Sequence, residues 1–181
     1  MEKNLLTNQV LIGCTLEESA YHEAGHVVVA SALGLDLRPR GIVIYEVQNV
    51  TDGLACYWED TAETEEVLQA LRAGQMAQMR RFPKSDTWGS MPDIQQFAKI
   101  YHAQFGPDGL GDMNMKINGL VDGLLCKLWS AIEAVAKASV DSDWIAVDST
   151  EHPMAIRKKH LSGEALEPIL AAHGISARVR S

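Results

Sequence analysis

One hexapeptide constrains this chain more than any other stretch: Tyr21-His22-Glu23-Ala24-Gly25-His26, a His-Glu-x-x-His pattern. Two imidazoles at that spacing share a face on a helix, about one turn apart, where both can ligate one metal ion. The flanking residues predict that helix. Thr15 is suited to an N-cap, Glu18 completes a capping box, and Glu17 and Glu18 suit the positive end of the helix dipole. Between Leu16 and Leu33 only Gly25 interrupts the run, and Gly34 is a good left-handed terminator. Val27, Val28 and Val29 are poor helix formers, so burial must hold that half together. Gly25 costs about 1 kcal/mol against Ala in an exposed helix, which points to close packing there.

The bland alternative is a pair of structural histidines. On the chemical reading, neutral His22 and His26 bind Zn²⁺, leaving one position for a third protein ligand and one for water. Zinc-bound water is then the nucleophile, and Glu23 is the general base that passes its proton to the leaving amine. The motif itself leaves the third ligand open.

The rest of the chain predicts a mostly α fold with a small β-sheet or hairpin (α+β). Val10-Leu11-Ile12 suggests a short packing segment. Gly41 to Val47 and Gly53 to Trp58 read as strands, joined by a Gln48–Asp52 loop that ends in Asp-Gly. A second helix runs from Thr61 or Thr64 to about Arg80, with Val67, Leu68, Leu71 and Met76 on its apolar side. Phe82-Pro83 ends it, before a loop containing Trp88-Gly89. Ser90 as N-cap and Pro92 in the first turn start a third helix, carrying Asp93, Ile94, Phe97, Ala98 and Tyr101. The fourth has the clearest period: Ile117, Leu120, Val121, Leu124, Leu125, Leu128, Ile132 and Val135 form one stripe, as core or subunit contact. Gly119 and Gly123 beside it would admit another helix closely. Trp144 to Val147 reads as extended, Met154 to His160 as a short helix, and Ser162 starts a last helix kinked by Pro168. One domain over 1–181 is expected, with a zinc-site core at about 15–105 and a helical part at about 112–175.

A chain of 181 residues can bury a core without disulfides. Its net charge of −8 excludes a broad nucleic-acid surface. The basic run Arg157-Lys158-Lys159-His160 reads as a solvated helix end. Cys14, Cys56 and Cys126 are scattered, as befits buried apolar groups in a reducing compartment. No leader pattern is visible, and the longest apolar run, Val27 to Leu35, is about half a bilayer span. A soluble cytoplasmic chain without membrane contact is expected, so the Asn49 sequon reads as plain loop.

Ala20-Tyr21-His22-Glu23-Ala24-Gly25-His26-Val27-Val28-Val29-Ala30 resembles the zinc helix of FtsH-type metallopeptidases, the protease domains of membrane-bound AAA+ proteases. Ile42-Val43-Ile44 with Gly53-Leu54 resembles the family's two strands, and Ala70 to Ala77 its Ala/Gly-rich second helix. Leu161-Ser162-Gly163-Glu164 resembles its closing segment. The likeness covers about residues 16–170, and is specific at the first helix. It implies a zincin-like helical metallopeptidase domain, with Asp93 as the third zinc ligand beside His22 and His26. The competing ligand is Glu65 or Glu66, as in other short zinc peptidases. The residues alone also allow Asp93 a plain capping role. Glu59 and Glu63 read as solvated charges at a helix start, and His102, His152, His160 and His173 as surface histidines.

This chain departs from the family at Pro92, where a polar residue is usual, and at Gln75, Gln78, Arg80 and Arg81, which replace carboxylates. The ATPase module and transmembrane helices are absent from the sequence. The resemblance therefore implies an ATP-independent zinc peptidase that cuts flexible or unfolded polypeptides, with further copies of itself or a separate unfoldase as partners. An edge strand beside the zinc helix, here Gly41 to Val47, would pair with substrate backbone. Tyr57, Trp58 and Trp88 read as core packing before cleft wall. The alternative function is a catalytically silent peptidase fold kept as a binding or regulatory module.

Overall fold

The computed structural model describes residues 14–48, 50–57, 63–85, 91–148 and 150–180. Helix α1 (Leu16–Ala32) begins as its capping residues dictate. The Thr15 hydroxyl accepts the Glu18 N–H at 3.3 Å, and the Glu18 carboxylate accepts the Thr15 N–H at 2.7 Å. From His22 to Ser31 every residue is buried, so α1 is the central helix and needs no polar face. It packs against α2 (Thr64–Arg81), α4 (Leu110–Asp141) and the sheet. Gly25 is where α2 comes closest: a Cβ there would meet Ala73 O at 2.7 Å and Ala77 Cβ at 2.8 Å. Gly34 ends the helix at φ +86°.

Strands β1 (Leu37–Val47), β2 (Val50–Tyr57), β3 (Trp144–Ala146) and β4 (Arg157–Leu161) form one antiparallel sheet in the order β2-β1-β4-β3. With the remaining helices α3 (Met91–Phe105) and α5 (Gly163–Ala172), the protein is mostly helical with a small sheet. Among the described residues, no helix is long and apolar enough to cross a membrane.

The hairpin turn lies earlier than expected. Val47 pairs with Val50, and Gln48 takes φ +50°, while Asp52 and Gly53 sit inside β2 opposite Tyr45 and Ile44. The β-branched Val50 and Thr51 extend the strand, so Asp-Gly has a different purpose, described below. The expected helix at Met154–His160 is also corrected, because its end is strand β4, paired along β1. The basic run is thus no helix end. Lys159 is buried, and its ammonium donates to the Val140 carbonyl at 2.8 Å and to that of Ser142, at the negative end of α4. Arg157 meets Glu46 across the strands.

The long stripe on α4 buries Ile117, Val121, Leu125, Ile132 and Val135, with Leu120 left exposed at its margin. Gly119 and Gly123 face open space rather than another helix. On α3 only Phe97 and Tyr101 are buried, and Ile94 is exposed. Met76 is half-buried against the core, and Tyr57 lies within it. Cys14 and Cys56 are half-buried and Cys126 is exposed, not buried as expected; none of the three is paired to another of them in a disulfide. Ser162 caps α5, which contains Pro168. The expectations for Val10–Ile12, Asn49, Trp58, Glu59, Thr61, Trp88 and Ser90 fall outside the described residues.

Candidate metal centre

His22 and His26 project from the middle of α1 toward α2 and the first turn of α3, which brings Asp93. The donor atoms of His22, His26 and Asp93 all lie within 4.8 Å of one another. His22 Nε2 is 3.0 Å from Asp93 Oδ2 and 3.0 Å from His26 Nε2, and His26 Nε2 is 3.4 Å from Asp93 Oδ2. Tetrahedral zinc with bonds of about 2.0–2.2 Å separates its donors by about 3.3–3.6 Å. The three atoms therefore form nearly one face of such a tetrahedron.

The far side of each imidazole fixes its tautomer. His26 Nδ1 donates to Ala70 O at 2.8 Å, and His22 Nδ1 donates to Gln78 Oε1 at 3.0 Å. With both Nδ1 protons so committed, the two Nε2 lone pairs and a carboxylate face one point. Three electron-rich atoms converge only around a cation or a proton. The donor set of two neutral imidazoles and one carboxylate suits a divalent metal such as zinc.

Neither competing ligand reaches this point. Glu65 pairs with Lys116 of α4, and Glu66 accepts the Glu63 N–H at 2.9 Å in a second capping box. Glu63 is that helix's N-cap. His102, His160 and His173 are exposed, and His152 stacks on Tyr45 with centroids 4.7 Å apart.

Glu23, 5% exposed, lies beside the pair on the sheet side. Burial pushes its carboxyl up; His22 and His26 pull it back, and Asp93 and Asp52 add to the rise. Two glycines make room for the centre. A Cβ at Gly53 would collide with the Glu23 carboxylate, and one at Gly74 with the His26 ring. The Asp-Gly pair in β2 is thus a place for a side chain of another element.

Without metal, the centre should hold a proton. Burial disfavours the His26 imidazolium, but Asp93, together with Glu23 and the Ala70 carbonyl, outweighs it and raises the pKa from 6.5 to about 9. Burial also works against the Asp93 charge, yet His26 and His22 hold that carboxyl well below the usual carboxylate range. Because the folded pKa of His26 is the higher one, its stabilising contribution is complete below pH 6.5 and disappears as pH rises through about 9. Metal-free protein should therefore lose stability across that window, measured as a falling urea midpoint. Zinc binding at pH 7 should release about one proton, read by calorimetry in buffers of different ionisation heat.

An open cleft of about 720 Å³ runs along this centre, lined by Glu23, Asp93, Arg38 and the β2 residues Gly53 to Tyr57. The expected edge strand is corrected here: β1 lies between β2 and β4, so the edge strand is β2. Thr51 N–H points outward to Cys14 O at 2.9 Å. By the two-residue alternation of a strand, the backbone groups of Gly53 and Ala55 point outward too.

Gln78, named in the sequence only as a departure from the family, supports the centre from α2 through its contact with His22. It is fully buried, and its amide also donates to Ser85 Oγ at 2.6 Å, so its oxygen is held toward His22. A signal existed: Gln78 continues the Val67, Leu71, Gly74 face of α2, and a polar residue on a buried face calls for a partner. Gln78→Ala should lower zinc affinity about 10–100-fold without removing a ligand, measured by competition with a chromogenic chelator. The chain matches no protein-family model, and no curated protein matches it.

Proposed function

We propose that the protein is a zinc-dependent peptidase that hydrolyses flexible or unfolded polypeptides. One observation carries this reading: three metal-donor atoms converge at 3.0–3.4 Å with the buried carboxylate of Glu23 on the same cleft wall. Zn²⁺ held by His22, His26 and Asp93 would acidify a water molecule and polarise the scissile carbonyl. Glu23 would take a proton from the attacking water and return it to the leaving nitrogen. Burial raises the Glu23 pKa, which makes it a stronger base for the first step.

The outward backbone groups of Gly53 and Ala55 pair with an extended substrate chain. Backbone pairing selects weakly by sequence and requires a segment without structure of its own. Folded substrates therefore need a separate unfoldase. The zinc helix, the small-residue helix α2 and an aspartate at the start of α3 support a zincin-like domain of FtsH type. Three cysteines that form no disulfide with one another fit a reducing, cytoplasmic setting. The test is zinc stoichiometry together with hydrolysis of an unfolded protein. One zinc per chain and chelator-sensitive cleavage are expected; cleavage that ignores the chelator, or none with a full zinc complement, overturns the reading.

A further inference from the structure

A second cavity, of about 80 Å³, lies between α2, α3 and the start of α4. Leu71 and Asp93 line both this cavity and the main cleft, so the two meet at the third donor of the metal centre. Its walls are mainly apolar, with Leu71, Ile94, Phe97 and Leu110. One lining residue does not belong in such a setting. Arg72 is half-buried, and burial presses its pKa down, yet a guanidinium stays charged.

The protein partners of Arg72 are neutral. Its Nε donates to Asn118 Oδ1 at 2.7 Å and its Nη1 to Gln75 Oε1 at 2.5 Å. Glu65, on the same helix, pairs with Lys116 instead, and among the described residues Arg72 has no ion pair. A partly buried charge without a counter-charge costs stability unless a ligand offsets it. The two amides hold the guanidinium in place and leave further N–H donors for a ligand.

We propose that this pocket is a carboxylate subsite, in which Arg72 binds an acidic side chain or the C-terminal carboxylate of a substrate residue adjoining the bond cut at the metal centre. The apolar walls take the methylene stem and the fork of Arg72 takes the two oxygens. Asp93 shares the wall, but its charge is directed at the His22–His26 pair. In a protein of net charge −8, a local cation is what admits an acidic substrate. The subsite rests on the peptidase reading, which the test separates from it.

Zinc-loaded Glu23→Gln protein is titrated with fluorescein-labelled unstructured peptides, and anisotropy reads binding. One set carries Glu or Gln at each position in turn; a second ends in a free carboxylate or an amide. Either Glu at one position or the free terminus should bind about tenfold tighter than its neutral counterpart, by an amount that shrinks with salt, and which set responds identifies the source. Arg72→Met should abolish the preference with zinc content unchanged, and Arg72→Lys should keep part of it. Equal binding of charged and neutral peptides, or a preference that survives Arg72→Met, overturns the subsite. If Arg72→Met does not fold, the charged-to-neutral ratio with Arg72 in place decides alone, and a ratio near one overturns it. Cleavage of the same peptides by the wild type is scored apart. Zinc-dependent cleavage without charge preference sinks the subsite alone, whereas Arg72-dependent binding without cleavage sinks the peptidase alone.

Discussion

Glu23→Gln should lower kcat on an unfolded protein by about 10²–10⁴-fold while the protein keeps its zinc. The amide matches the carboxylate in shape, so the contact of this side chain with Gly53 survives. It removes only the capacity to accept a proton. Because the carboxylate is buried and burial raises its pKa, its replacement by a neutral group should not lower the unfolding midpoint appreciably. Zinc analysis, steady-state kinetics and a melting curve on one preparation separate these effects. A variant that keeps both zinc and cleavage removes Glu23 from the mechanism.

Asp93→Ala should empty the centre. Among the described residues, this carboxylate is the only anionic donor grouped with His22 and His26, and its loss leaves two imidazoles on one helix, too few for tight zinc. The fall in affinity should exceed the roughly 10–100-fold typical of losing an outer partner such as Gln78. Glu65→Ala and Glu66→Ala are the decisive controls. One removes an ion pair to Lys116 and the other a capping contact to Glu63, so both should keep full zinc. Loss of zinc in Glu66→Ala with retention in Asp93→Ala would reverse the ligand assignment.

The first half of the centre was legible because its signals are local. Thr15, Glu18 and the His22–His26 spacing lie within one helix, where the period alone decides which residues share a face. The stripe on α4 was legible for the same reason. Asp93 was different: 67 positions beyond His26 (93 − 26), it is joined to the pair by tertiary packing alone, and only a family likeness singled it out. Gly53 misled because Asp-Gly is a strong turn signal, and the competing demand, room for Glu23, comes from another element. Strand β4 misled because its partner β1 is far away in sequence and Lys159 finds its acceptors only at the folded end of α4.

That pairing of β1 with β4 has a consequence for the order of assembly. Ile42 faces Leu161 in the register, so β1, beside α1, stays half-paired until β4 has been made. A ribosome will therefore release α1, with both histidines, well before the sheet beside it can close. A chain truncated after α4 would expose a bare strand edge inviting self-association, even though every proposed ligand is present.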